Sequence, residues 1–222
     1  MKKYMLVGAM GAGKSSTGNK LLEKDVFDVG DEFGRVTTEI SIQPSDNGEL
    51  CILDCPGFGD LDVDLLNIIQ SSKARLINES PLDGFFLVVK FNQDDSLQFS
   101  HAAKQFHEIF GTNGLKSLVL LCIQGSPKRR YSQGKFQSIL YNTDGYKYLK
   151  SNNNNQDIPY CLWDNYREYF NQTDTFKGCL ARIQPFEKNN MINAFDLIAA
   201  NLRAKKSYTI PIDPNNSWCN LL

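Results

Sequence analysis

Histidine, net charge and long apolar runs are all scarce in this chain of 222 residues. Histidine occurs only as His101 and His107, and none of the six cysteines (Cys51, Cys55, Cys122, Cys161, Cys179 and Cys219) forms a C-x-x-C pair. A structural zinc site needs ligands of those types at that spacing, so zinc is not expected to organise the fold. The formal net charge is -1. The basic footprint of a nucleic-acid binder is therefore missing, and no nucleic-acid partner is expected. No stretch approaches the roughly 20 apolar residues of a transmembrane helix. Lys2-Lys3 before Tyr4-Met5-Leu6-Val7 resembles the start of a signal peptide, but Gly11-Ala12-Gly13-Lys14 interrupts it at once. Three of the cysteines lie inside apolar runs, which reads as small buried hydrophobes in a reducing, cytoplasmic setting. Internal repeats and domain-scale linkers are also absent.

What the chain does have is alternation. Tyr4–Val7 reads as a short strand and Ser15–Lys24 as a helix, followed by an irregular polar stretch over 25–38. Thr38–Gln43 and Leu50–Leu53 read as a hairpin across Asp46-Asn47-Gly48, which is strong turn chemistry. Leu65–Ile77 reads as a helix and Phe85–Val89 as a fully covered strand. Phe99, Ala102, Ala103, Phe106, Ile109 and Phe110 recur at helical spacing, with Asp94-Asp95-Ser96 as cap candidates and Gly111 as the stop. Leu118–Ile123 is the next strand, Phe136–Lys150 a single helix, Asn152–Asn155 a loop, and Ile158–Trp163 the sixth strand. Met191, Phe195, Ile198 and Leu202 mark the last helix, and Ile210–Leu222 reads as a tail. Alternating βαβ units predict an α/β fold, with a mostly parallel six-stranded sheet between two helical layers.

Gly8-Ala9-Met10-Gly11-Ala12-Gly13-Lys14-Ser15 fits G-x-x-x-x-G-K-[ST] without a mismatch, between a strand and a helix. Glycines let the backbone turn several N–H groups onto one phosphate, and the helix adds its positive end. Lys14 is expected to reach the outer phosphates and Ser15 to hold magnesium. The expected phosphate-binding set is Gly8, Met10, Gly11, Ala12, Gly13, Lys14, Ser15 and Ser16. Asp54-Cys55-Pro56-Gly57 fits D-x-x-G at the end of a strand. Asp54 is expected to hold the magnesium, and the Gly57 N–H to sense the terminal phosphate. A switch also needs a threonine between these motifs to complete the magnesium shell, and Thr37 and Thr38 are both candidates.

With these motifs in place, the chain resembles the immune-associated nucleotide-binding GTPases, the avirulence-induced (AIG) family that includes the vertebrate GIMAP proteins. The phosphate loop, Val36-Thr37 and Asp54-Cys55-Pro56-Gly57-Phe58 match that pattern over roughly residues 3–206. So does Leu87-Val88-Val89-Lys90-Phe91-Asn92-Gln93-Asp94-Asp95, which is similar to the family's own box. The resemblance implies a three-layer P-loop GTPase domain over 1–206, with Mg2+ and GTP or GDP as ligands and a homodimer formed through the nucleotide face. It favours Thr37 as metal ligand and catalytic threonine, and points to Lys90 as a second catalytic residue. The chain also departs from the family. Where the family carries an acidic residue to read guanine, this sequence has Ile123-Gln124-Gly125, leaving Gln124 in the binding set. Trp163-Asp164-Asn165 stands at the other base-contacting position, with Asn165 able to bond the base and Trp163 or Tyr166 to cover its face. Phe58 replaces the water-orienting glutamine of Ras-like enzymes, so slow hydrolysis is expected. Lys90 stands where the family box often has arginine, which gives a point charge without a bidentate fork.

Two other readings are weighed: a non-hydrolysing module that uses nucleotide to order a partner surface, and a small P-loop kinase, for which Lys128-Arg129-Arg130 could be misread as the lid; Asp54-Cys55-Pro56-Gly57 and the switch-like loop argue against the kinase, and Lys128–Arg130 reads as a solvated surface loop. The tail over 207–222 carries Cys219-Asn220-Leu221-Leu222, a loose C-a-a-X match. Prenylation of Cys219 and peripheral attachment to the cytoplasmic face of a membrane are expected from it.

Overall fold

A computed structural model describes residues 1–29, 39–57, 70–91, 96–124, 133–163 and 172–207. Among them, six strands form one sheet: β1 (Lys2–Val7), β2 (Ser41–Pro44), β3 (Leu50–Asp54), β4 (Gly84–Phe91), β5 (Leu118–Gln124) and β6 (Tyr160–Trp163). Their order is β2-β3-β1-β4-β5-β6, and only β2 runs antiparallel, hairpinned onto β3. The described helices are α1 (Lys14–Leu22), α2 (Lys73–Glu79), α3 (Ser96–Leu115), α4 (Gln133–Asn142), α5 (Asp144–Asn152), α6 (Gln172–Leu180) and α7 (Lys188–Ser207).

The three layers follow from the period of two along a strand. Met5, Val7, Leu53, Phe85, Leu87, Leu120 and Cys122 point to one face. There they are buried with Phe99 and Phe106 of α3, Tyr146 of α5 and Phe195 of α7. Tyr4, Leu6, Ile52, Phe86, Val88 and Leu121 point to the other, against Phe27, Leu22 of α1 and Cys179 of α6. The runs Phe85–Val89 and Leu118–Ile123 of the central strands are thus apolar at every position because both faces are covered. This is the predicted three-layer α/β architecture with a mostly parallel six-stranded sheet.

Several expectations are corrected. The single helix expected over 136–150 is two helices, broken at Thr143. That residue takes an extended conformation (φ -71, ψ 144), and its hydroxyl accepts a hydrogen bond from the Tyr146 N–H as the cap of α5. The sixth strand starts at Tyr160 rather than Ile158, after Pro159, which has no N–H to donate to the ladder. Gly111 breaks α3 as expected (φ 63, ψ -169), but a further helical turn carries on to Leu115. Helix α6 is an addition that periodicity did not reveal.

Candidate functional site

β1 ends at Val7 and α1 begins at Lys14, so residues 8–13 form the connecting loop. Gly8, Gly11 and Gly13 all have positive φ (145°, 73° and 91°). At Gly8 space is as decisive as conformation: a Cβ would lie 2.4 Å from the Val88 carbonyl oxygen of β4. Gly13 occupies the helix N-cap in a left-handed conformation and has no side chain to bond the first-turn N–H groups. That end of α1 therefore presents backbone donors and the positive pole of the helix to an anion. Thr17 steadies the turn, its hydroxyl donating to the Gly13 carbonyl at 2.8 Å.

β1 and β3 are parallel neighbours with Leu6 opposite Asp54. This register carries the Asp54 carboxylate to the same end of the sheet as the loop. The Ser15 hydroxyl donates to Asp54 Oδ2 at 2.7 Å, joining the two motifs directly. The other carboxylate oxygen, Oδ1, is buried without a hydrogen-bond partner, and Asp54 is only 1% exposed. Lys14, 6% exposed, folds back over the loop and donates to the carbonyls of Gly8 (3.2 Å) and Ala9 (3.0 Å).

Both charges are held at a cost. Burial lowers the Lys14 pKa, an effect that attraction to Asp54 only partly offsets. Burial likewise raises the Asp54 carboxyl, against the Ser15 hydrogen bond and the Lys14 charge. Beside them the Cys55 thiol is pushed well up by burial and so stays neutral and unreactive.

Gly57 sits hard against the loop, where a Cβ would lie 2.6 Å from Met10 Cα. The Met10 side chain projects outward and is 60% exposed. Ala12 is buried, while Ser15 and Ser16 are half-buried at the start of α1. Lys90 is exposed near the carboxyl end of β4, and Gln124 ends β5 opposite Phe91. Trp163 ends β6. Its ring is 8% exposed and packs 5.4 Å from Phe176, among the core residues on the α1 face. That packing occupies the indole in the interior. Thr37, Asp164, Asn165 and Cys219 lie outside the described residues.

One buried polar residue near the site was not expected from sequence. Asn19 of α1 accepts hydrogen bonds at Oδ1 from the N–H groups of Val26 (3.0 Å) and Phe27 (2.8 Å). Its Nδ2 donates to the Phe27 carbonyl at 2.9 Å. The one signal in the sequence was an asparagine, a poor helix former, inside a helical run.

Comparison with known proteins agrees with this geometry. Residues 2–205 match the sequence model of the AIG1 family. The immune-associated nucleotide-binding protein 4 of Arabidopsis thaliana is 30% identical over 130 residues, covering 56% of this chain and 40% of that protein. The chain thus aligns with well under half the length of that relative. Among solved structures, Toc33 of Arabidopsis thaliana in complex with GDP and Mg2+ superposes with a TM-score of 0.56 at 19% identity, over 90% of this chain and 84% of that one. A structure concerned with dimerisation in the GTPase activity of the chloroplast translocon components Toc33 and Toc159 gives 0.58 at 17% identity, over 90% and 83%. At such identities the likeness establishes the fold.

Proposed function

Because this chain belongs to the AIG1 family of P-loop GTP-binding domains, we propose that it is a guanine-nucleotide switch that hydrolyses GTP slowly and dimerises through its nucleotide face. The observation that carries this reading is the Ser15–Asp54 pair, closed at 2.7 Å beside a strand–loop–helix phosphate cradle.

The residues present fit magnesium. A buried carboxylate with one partnerless oxygen, next to a hydroxyl, is a hard oxygen donor set of the kind magnesium takes. Ser15 and Asp54 would hold the ion, with Thr37 joining them in the triphosphate state. When bound, magnesium neutralises charge on the outer phosphates. The protein's own part is positional. Lys14 exchanges its two carbonyl contacts for phosphate oxygens, and the first N–H groups of α1 take the inner phosphate. The Gly57 N–H is held against the loop by its contact with Met10, where it reads the terminal phosphate. Gln124 and Asn165 supply hydrogen-bonding groups for the base in place of the missing carboxylate. Trp163, being packed inside, is better suited to supporting that region than to covering the base face.

Slow hydrolysis is proposed because Phe58 has no group to orient water. Dimerisation is proposed by analogy with the chloroplast translocon components Toc33 and Toc159, for which dimerisation is important for GTPase activity. Lys90 is exposed at the carboxyl end of β4, on the side of the sheet where the loop lies, and is the candidate charge-stabilising group. Calorimetric titration with GDP, ADP and magnesium tests the reading. GDP should bind more tightly than ADP, and Lys14→Ala should abolish tight binding with the fold intact. Undiminished affinity in that variant would remove the loop from the mechanism.

A further inference from the structure

The chain has four methionines, and the fold treats them in different ways. Met5 on β1 and Met191 on α7 are each 1% exposed, within the core on one face of the sheet. Met1, 64% exposed, precedes β1. Met10, 60% exposed, lies in the phosphate loop, beyond the other end of that strand. The six residues of β1 set the two exposed thioethers about 20 Å apart. Met10 is thus the one exposed methionine at the phosphate cradle. The pattern G-x-x-x-x-G-K-[ST] leaves its position open, so phosphate binding does not itself require a methionine there.

The main chain at Met10 is held from two sides. The Ala12 N–H donates to the Ala9 carbonyl at 3.2 Å, closing the turn that contains Met10. Gly57 packs so closely that a Cβ there would lie 2.6 Å from Met10 Cα and 3.0 Å from Met10 Cβ. The Ala9 carbonyl, next in the chain, also receives the Lys14 ammonium at 3.0 Å. A chemical change at this side chain therefore falls on a fixed part of the loop, one residue from the group that holds its lysine.

We propose that Met10 is an oxidation site at which peroxide lowers nucleotide affinity. The affinity half of the proposal rests on the nucleotide reading above; the choice of site does not. A sulfur lone pair attacks one peroxide oxygen, and an S–O bond forms as the O–O bond breaks. With hydrogen peroxide, the proton on the transferred oxygen passes to the departing hydroxide, which leaves as water. Sulfur is oxidised and the peroxide is reduced by the same electron pair. Susceptibility follows exposure, so Met5 and Met191 are spared. The product replaces a flexible apolar thioether with a polar, chiral sulfoxide. Its oxygen is the negative end of a strong dipole. At the rim of a cradle that presents N–H groups and one ammonium to phosphate, that oxygen opposes the phosphate charge and competes for the same donors. Sulfoxide reductases reverse the step, which makes the change a switch.

The experiment treats the folded full chain with hydrogen peroxide and maps oxygen uptake at each methionine by peptide mass spectrometry. GDP with magnesium is titrated before and after. Met10 and Met1 should oxidise well ahead of Met5 and Met191; a Met10 no faster than the two buried residues overturns the proposal. Wild-type affinity for GDP should fall by about tenfold on treatment. It should return on incubation with the two methionine sulfoxide reductases, which take one sulfoxide epimer each. Met10→Leu, whatever its starting affinity, has no sulfur at that position, and treatment should leave its affinity where it was even with Met1 oxidised. An unchanged affinity after Met10 oxidation overturns the proposal. So do equal losses in wild type and variant, which would assign the effect to another group, or a loss that the reductases do not reverse. The wild-type reversal decides the matter even if the variant does not fold. Untreated wild type that binds no GDP marks the failure of the nucleotide reading and of the affinity half with it, while the map of oxidised methionines still decides the site.

Discussion

Replacing Asp54 with asparagine separates what the site does for stability from what it does for function. The ligand-free effect is small because opposing contributions cancel. Asparagine keeps an oxygen for the Ser15 hydroxyl. That hydrogen bond falls from a charge-assisted one, about 1.5–3 kcal/mol, to a neutral one of about 0.5–1.5 kcal/mol. Against this, the variant no longer buries a carboxylate with one oxygen unpartnered, a burden of several kcal/mol for an ion in a protein interior. Lys14 loses some attraction but is not orphaned, since it rests on the Gly8 and Ala9 carbonyls. Ligand-free Asp54→Asn should therefore be at least as stable as wild type, by up to about 2 kcal/mol. The pH dependence has a definite sign. Burial raises the folded-state carboxyl above its unfolded value. The ionised form thus costs stability at neutral pH, and the cost disappears as pH falls through the raised value. Wild type should gain on Asp54→Asn upon acidification from neutrality toward the ordinary carboxyl value of about 4. Function moves the other way. Losing the charged ligand of a desolvated ion costs about 3 kcal/mol, so magnesium-dependent GDP affinity should drop by about 100-fold or more. Denaturant titrations over a pH series, with calorimetry at fixed magnesium, measure all three. A variant more than about 2 kcal/mol less stable than wild type, or one that still gains affinity from magnesium, would refute the reasoning.

Three further outcomes are expected. Gly57→Ala places a methyl group 2.6 Å from Met10 Cα, so the loop must shift; GDP affinity should fall by about tenfold, with a stability loss of about 1–3 kcal/mol, read by titration and thermal melting. GTP turnover per molecule should be slow and rise with protein concentration, and Lys90→Ala should blunt that rise; a specific rate independent of concentration speaks against assembly-dependent activation. Thr143→Ala removes the cap hydroxyl of α5 and should cost about 1 kcal/mol with nucleotide affinity unchanged, as measured by chemical denaturation.

The parts of this fold that sequence made legible are those where one local pattern decides the outcome. Continuous apolar runs such as Phe85–Val89 and Leu118–Ile123 can be satisfied only between two covered faces, and both are central strands. The phosphate loop was legible because its glycines, lysine and serine fall at fixed spacing between a strand and a helix. The break at Thr143 was not, because the apolar spacing continues across it and the deciding event is a single hydroxyl bonding Tyr146. Helix α6 escaped because its buried contacts, Phe176 against Trp163 and Cys179 near Tyr160, depend on tertiary placement rather than on its own period. The 2.7 Å approach of Ser15 to Asp54 was foreseeable as a pairing of motifs, but its asymmetry was not. That one carboxylate oxygen takes the hydroxyl while the other is left without a partner follows from side-chain placement in the fold, which residue spacing does not encode. Asn19 was invisible for a similar reason: its partners are main-chain groups, which leave no mark on composition.

The close seat of Gly8 under the Val88 carbonyl has an evolutionary corollary. That glycine is demanded by a central strand buried on both faces, and the demand stays in force whether or not a nucleotide is ever bound. Lys14 is in the opposite position: burial disfavours its ammonium, the Asp54 attraction offsets that only in part, and a ligand's phosphates would complete its surroundings. A descendant released from nucleotide binding would shed the lysine early, gaining stability, and keep the glycine long afterwards. Surviving glycines in a divergent copy of this loop therefore testify to ancestry, and only the lysine testifies to present use.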